Sequence, residues 1–458
     1  MTSDGLLSRR YRALTIGMVA LTALGAFESL AVATAMPAVA KALDGMSLYA
    51  LSFASTLAAS VVGMVVAGQW SDARGPVKPL WIGVVLFVAG LLMGGFAPDM
   101  VWLLWGRIVQ GFGAGAIAVV LYVIVARMYP ADLQPRVFAA FSAGWVIPSL
   151  FGPTISGLIV EHIGWRWVFL AVPMVAVPAA LMMRPGLREL APERVMDKRR
   201  SPLLDRRIGW SICAATGACV LHLAVEWPGV KGAALFVAAL LSLVISVRHL
   251  MPIGTLLALP GLPSVIALRG MTSAAFFGME AFLPLLLSRE FGVSPVWAGA
   301  VLMIGALGWS ASSWYQGNTR KPWTRTQLLQ VGMMLMVLGV LVLAVATAAL
   351  MHRSTTWTSP TMIAGAILGW AITGAGMGLV SPTLSVLTLA WSAPAEQGRN
   401  SSALRLADAF GVAGVLAIHG SLFTLLLRQP TGAYLMIFVI SGALAMLGFG
   451  LSARTRLP

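Results

Sequence analysis

Four ionisable residues stand inside long apolar runs: Glu28, Arg107, Glu280 and Asp408. On insertion scales a charge at the centre of a membrane span costs about 2.5–3.5 kcal/mol, so an ionisable residue at that depth points first to transport chemistry and otherwise to a structural ion pair. Glu28 lies in the string AFESLAVATAMP with no Lys or Arg within a helical turn. Desolvation favours the neutral acid, so Glu28 is expected to carry a proton for part of any working cycle, unless it only hydrogen-bonds between helices. A guanidinium keeps its charge, so Arg107 needs an acid or backbone carbonyls from a neighbouring helix, as a transport residue or as a purely structural partner. Glu280, in FFGMEAFLP, is open to a cationic substrate, to a second proton or to a helix contact near the outer leaflet. Asp408 has Arg405 three residues before it. Such i, i+3 neighbours face each other on a helix, so a local pair stands beside a transport role.

The elements that must hold these residues follow from the apolar runs. The chain has 458 residues, 59% of them hydrophobic and 10% charged, with a mean hydropathy of +0.87. A soluble domain is about 25% charged, so the composition is that of a polytopic membrane protein. Runs long enough for a helix of about 20 apolar residues fall near 12–36, 48–70, 78–97, 100–128, 137–160 and 165–183. Two more lie near 209–226 and 232–249, and six near 265–287, 296–316, 326–350, 361–390, 403–427 and 431–452. The first run is longer than a secretory signal core and is read as a retained span. The expected fold is therefore all-α, with 14 transmembrane helices. These comprise a six-helix half over 1–183, a basic cytoplasmic loop over 184–208, and two inserted helices over 209–250. A cytoplasmic connector over 251–264 and a second six-helix half over 265–458 complete the chain.

Charge tests this count independently. With both termini inside, 24 of the 31 Lys and Arg fall on the cytoplasmic side, Arg269 and Arg405 among them, 6 fall outside and Arg107 is left within a span. Cytoplasmic loops collect Lys and Arg, which accounts for the net charge of +15 without nucleic acid. The expected location is the cytoplasmic membrane. Two six-helix halves around a central path are a transporter architecture.

Other chemistries lack their residues. No Gly-rich loop ending in Lys-Ser or Lys-Thr offers a phosphate cradle. The five His residues have no metal-ligand spacing, and Cys213 and Cys219 form no disulfide framework. No clustered Ser/His or His/Asp site suggests an enzyme. Neither metal nor cofactor is expected.

Beyond this point the motifs carry a resemblance. The string RIVQGFGAG from Arg107, with Gln110, Gly111, Gly113 and Gly115, resembles the fourth-helix motif RxxQGxGxG of the major facilitator superfamily. Gly144 and the string GPTISG, with Gly152, Pro153 and Gly157, are similar to the fifth-helix motif GPxxGG of its drug:proton antiporters, with Ser156 in place of a Gly. Gly68, Asp72, Arg74 and Gly75 resemble the loop motif GxxxDRxGRR, with Ala73 where a basic residue belongs. Glu28, nine residues before Pro37, stands where the first-helix motif has an Asp.

The resemblance is to fourteen-span antiporters, and it implies roles. Glu28 and Arg107 couple protons, and Asp72 caps the eleventh core helix and latches the outward-facing state. The Pro and Gly residues bend the fifth span, while Glu280 and Asp408 form a substrate or second proton site. The expected activity is proton-driven export of hydrophobic small molecules, cations among them, by a monomer in the lipid bilayer. The alternative is an exporter of one endogenous metabolite or lipid-like compound; a transporter-shaped sensor without turnover is a further reading.

Overall fold

The computed structural model describes residues 5–45, 48–190, 205–224, 229–293, 295–318, 323–351, 359–426 and 430–456. Among these, fifteen α-helices and no strand are found. The first six are α1 (Arg12–Ala42), α2 (Tyr49–Arg74), α3 (Val77–Gly95), α4 (Met100–Met128), α5 (Gln134–His162) and α6 (Arg166–Leu187). After them come α7 (Arg206–Ala224) and α8 (Val230–Leu250). The remainder are α9 (Leu262–Glu280), α10 (Leu283–Arg289), α11 (Pro295–Asn318), α12 (Arg325–Met351), α13 (Ser359–Ala390), α14 (Gln397–Leu425) and α15 (Pro430–Leu451).

Local sequence explains where several helices begin and end. Asp99 caps α4 by accepting from the Trp102 N–H at 2.7 Å. Gly75, with φ of 82°, ends α2 in a conformation that a residue with a Cβ rarely adopts. Of the expected loop at 184–208 only the ends are described: α6 runs on to Leu187 and α7 begins at Arg206. Residues 191–204, with Arg194, Lys198, Arg199 and Arg200, lie outside the described residues, as do Arg320, Lys321, Arg353 and Arg428.

Eleven helices among the described residues are long and apolar enough to cross a membrane, with α9 and α10 counted as one span over Leu262–Leu287. The number is twelve when the two bent parts of α5 are taken as one. The chain is thus an all-helical, multiply membrane-spanning protein. A count of fourteen would also need α7 and α11, which stand outside that set. Two arginines at its start and Ser211, Thr216 and His222 along it dilute the apolar character of α7.

The chain divides into two compact units. One comprises residues 1–137, 147–252 and 392–406. Within it α4 packs on α2 and α3, α6 packs on α1 and α3, and α7 packs on α2 and α8. A Cβ on Gly111 or Gly115 would run into the Thr56 or Ser60 carbonyl of α2, and one on Gly106 or Gly113 into backbone of α3. Small residues let these helices meet backbone to backbone, and that proximity places Arg107 among its neighbours.

The other unit comprises residues 138–146, 253–391 and 407–458. Here α13 packs on α11 and α12, α15 on α12 and α9, and α9 on α13. The same device recurs, with Gly374 and Gly378 of α13 against Gly305 and Trp309 of α11, and Gly369 and Gly376 against Gly339 and Gly332 of α12. Its core gathers Phe276, Met279, Leu329, Met333, Trp370, Met377 and Phe438.

Candidate functional site

In the first unit, α1 and α4 bring Glu28 and Arg107 together. Both are buried, at 6% and 5% exposure, so the low dielectric strengthens their attraction and makes either one alone costly. Arg107 Nη1 donates to Glu28 Oε1 at 2.5 Å and to Gln110 Oε1 at 2.7 Å. Gln110 reaches the same guanidinium because it lies three residues further along α4. Arg107 Nε and Gln110 Nε2 find no partner among the described residues. The cluster holds spare donors beside its one acid.

At the end of α2, Asp72 accepts the backbone N–H groups of Gly398 and Arg399 at 2.6 and 2.7 Å. Those are the first free amides of α14, the eleventh core helix, where a carboxylate is favoured by unsatisfied donors and the helix dipole. Gly68 lets α2 come this close, since a Cβ there would meet the Gly398 carbonyl. Ala73 leaves a gap in positive charge that Arg127 fills from the last turn of α4, donating to the Ser71 carbonyl at 3.2 Å. Arg74 is exposed. Sequence spacing could not have found Arg127.

In α5 the helix is bent by 43° between Gln134–Ser149 and Thr154–His162, across the stretch that contains Gly152 and Pro153. Gly144 is buried. A Cβ on Gly152 would be in ordinary contact with Phe27 and Leu30, and one on Gly157 would meet nothing among the described residues. The substitution at Ser156 makes the contact itself, its hydroxyl donating to the Ala31 carbonyl of α1 at 2.7 Å.

In the second unit, Asp408 of α14 has a partner the sequence did not suggest. Arg269 donates through Nε to Asp408 Oδ1 at 2.5 Å, and through Nη1 to Ser381 of α13 at 2.6 Å to Oγ and 3.1 Å to the carbonyl. Ser273 Oγ donates to the same Asp408 oxygen at 2.5 Å. Arg269, counted above as a cytoplasmic charge, is buried because α9 starts at Leu262 and carries it two turns inward. Arg405, the sequence neighbour, is likewise within α14, with its guanidinium 4.7 Å from the centre of the Tyr122 ring.

Glu280 is the last residue of α9, at the break before α10, half-buried and with neither a hydrogen bond nor an ion pair among the described residues. Two residues back, the Gly278 carbonyl faces His419 Nδ1 at 3.1 Å. A carbonyl only accepts, so Nδ1 carries the proton and the fully buried Nε2, unpartnered among the described residues, keeps a lone pair. Sequence scattering gave no reason to single out His419. An apolar depression lined by Leu92, Met93, Phe96, Pro98 and Trp102 contains none of these residues.

Comparison with known proteins adds a decisive observation. Residues 17–368 match the Major Facilitator Superfamily. The chain belongs to that family. It is a membrane-spanning member of it. An uncharacterized transporter of Schizosaccharomyces pombe is 32% identical over 154 residues, covering 33% of this chain and 26% of that one. An uncharacterized MFS-type transporter of Mycobacterium tuberculosis is 25% identical over 418 residues, 88% of this chain and 58% of that one. A multidrug transporter protein of Bacillus subtilis is 25% identical over 400 residues, 84% of this chain and 70% of that one. The transporter thus spans well under two thirds of the length of the first two relatives. Its fold is similar to a human organic anion transporter, with a TM-score of 0.69 at 14% identity over 96% of this chain and 99% of that one. It is also similar to a proton:xylose symporter, with a TM-score of 0.66 at 15% identity over 95% of this chain and 94% of that one.

Proposed function

We propose that this transporter is a proton-coupled antiporter that exports hydrophobic small molecules, cations among them, by alternating access. The observation that carries the reading is the Glu28–Arg107–Gln110 cluster. Protonating Glu28 removes the anion and leaves a buried guanidinium with one amide acceptor, a costly state. Whatever offers Arg107 a new acceptor, or removes the need for one, favours proton uptake; whatever takes that acceptor away favours release. The proton leaves as Glu28–COOH becomes the carboxylate paired with Arg107. Proton occupancy is thereby linked to the arrangement of α1 and α4, which is the coupling an antiporter requires.

Three further features support the reading. Asp72 on the first amides of α14 suits a latch that holds one conformation until it is displaced. The bend in α5 stands where the resemblance puts an antiport motif. Relatives at low identity bear the names multidrug transporter and multidrug resistance protein. In this reading α7 and α11 also cross, giving fourteen spans in the cytoplasmic membrane with both termini inside. The working unit is a monomer, and the proton gradient is its energy source without a cofactor.

The test is flux in proteoliposomes under an imposed pH gradient with a panel of lipophilic dyes. Uphill export is expected from the wild type and none from Glu28→Gln, whose neutral amide imitates the protonated acid. Normal gradient-driven export by Glu28→Gln would refute the reading.

A further inference from the structure

The inserted helices α7 and α8 take no part in the proton cluster. α7 packs on α2, and α8 packs on α7. Of the candidate spans α8 is the least buried: 18% of its most apolar stretch is covered by protein, against 33–72% in the others, so most of its surface is left to lipid. Val237, Leu241, Val244 and Ile245, 44–56% exposed, recur at helical spacing on that surface, and Arg248 continues the stripe one turn beyond Val244. From Val237 to Arg248 the stripe is about 16 Å long at 1.5 Å per residue, close to one leaflet of a hydrocarbon core about 30 Å thick.

Contacts set the start of α7 beside the end of α8. Trp210 stacks on His249 with ring centres 4.1 Å apart and planes at 14°, and the Arg207 guanidinium donates to the Leu250 carbonyl. His249 Nδ1 in turn lies 2.8 Å from the Ile245 carbonyl. Arg206, one turn before Trp210, and Arg248, next to His249, are thereby brought to the same end of the hairpin, and both are exposed. The one acid there among the described residues is Asp205, also exposed, which accepts the Arg207 N–H at 2.9 Å. Positive charge is in excess where the apolar stripe stops.

We infer that this end of the α7–α8 hairpin is a binding site for an anionic phospholipid, whose phosphate meets Arg206 and Arg248 and whose acyl chain lies along the exposed stripe of α8. A guanidinium matches phosphate oxygens with paired donors, and its stem can follow apolar surface out to the headgroups. Trp210 suits the same depth, and basic pockets between spans are where acidic headgroups collect. A zwitterionic lipid brings an ammonium of its own, which the arginines repel. A free phosphate has no chain for the stripe. Nothing in this site depends on the proton cluster, and of the two helices only α8 has to span the bilayer for it.

The test reads retained lipid by native mass spectrometry on the full-length protein, released from micelles of phosphatidylglycerol and phosphatidylcholine with the same acyl chains. The wild type is expected to retain phosphatidylglycerol over phosphatidylcholine. Arg206→Gln and Arg248→Gln should each lower that preference about fivefold, the worth of one basic side chain at an anionic surface, and the paired Lys variants should keep it. Both arginines are exposed, so folding is not at stake. Arg184→Gln, at the exposed end of α6, serves as the control and should change nothing. The inference falls if the wild type shows no preference, if the two Gln variants keep it, or if Arg184→Gln loses as much. Displacement of the lipid by millimolar glycerol 3-phosphate also overturns it, because the headgroup alone is then held. A dimer that forms without lipid and is lost in the Gln variants would give the face to a second copy and overturn it as well.

Discussion

Among the described residues two Arg–carboxylate pairs have a buried guanidinium, one in each unit, with Glu28 buried and Asp408 half-buried, and they are built differently. Arg107 meets Glu28 through one nitrogen and shares that nitrogen with Gln110, leaving its Nε and the Gln110 amide nitrogen unpartnered among the described residues. Arg269 spreads its fork over Asp408 and two oxygens of Ser381, and Asp408 takes a further hydrogen bond from Ser273. A fully satisfied network rigidifies its surroundings, whereas a partly satisfied one has somewhere else to go. On the proposed function, the difference gives motion to the first pair and anchorage of α9, α13 and α14 to the second.

The sharpest way to break that contrast is to replace each pair by apolar residues of similar size. Such swaps of buried pairs are often neutral for stability, while removing one partner costs about 3–5 kcal/mol. Glu28→Leu with Arg107→Met is expected to fold and to lose gradient-driven export by more than about 100-fold. Arg107→Lys should rescue little of the export that Arg107→Ala abolishes, since a single ammonium cannot reproduce the guanidinium fork. Arg269→Met with Asp408→Leu should instead export within about threefold of wild type, although Asp408→Leu alone unfolds at markedly lower denaturant. A dead second double variant that still folds would give Asp408 a place in the chemistry and end the distinction.

Smaller effects sharpen the comparison. Gln110→Leu removes the one alternative acceptor, which binds Arg107 more tightly to an ionised Glu28. Export should fall about tenfold, the size of one charge-assisted hydrogen bond. Undiminished export would detach Gln110 from proton loading. Glu280→Gln should weaken export of cationic dyes several-fold and spare neutral ones, measured on the same vesicles; equal losses for both would place Glu280 in the proton path or the fold.

Much of this was legible in the apolar runs, because a helix in lipid has to satisfy its own backbone and so announces itself by length. Glu28 and Arg107 were each marked by depth, but 79 positions separate them and no local rule pairs them. Arg269 escaped because the run was judged to begin near 265, which left the residue close to its edge; α9 begins at Leu262. Arg405 was counted as a loop charge for a similar reason, although α14 carries it nine residues into the helix. Spacing along one helix names the residues able to meet, and tertiary packing chooses among them. The motif glycines of α5 show the converse: nothing in their spacing tells that a Cβ on Gly152 or Gly157 would find room among the described residues.

The glycine contacts of α4 and α13 also bear on what such a chain can become. Where backbones touch, no layer of side chains lies between them to be trimmed or enlarged, so those seams offer variation nothing to work on. Any added methyl pries a helix off its neighbour. Variation has to be written elsewhere, at side chains such as Glu280 at the α9–α10 joint, which can alter in size or charge without parting two main chains.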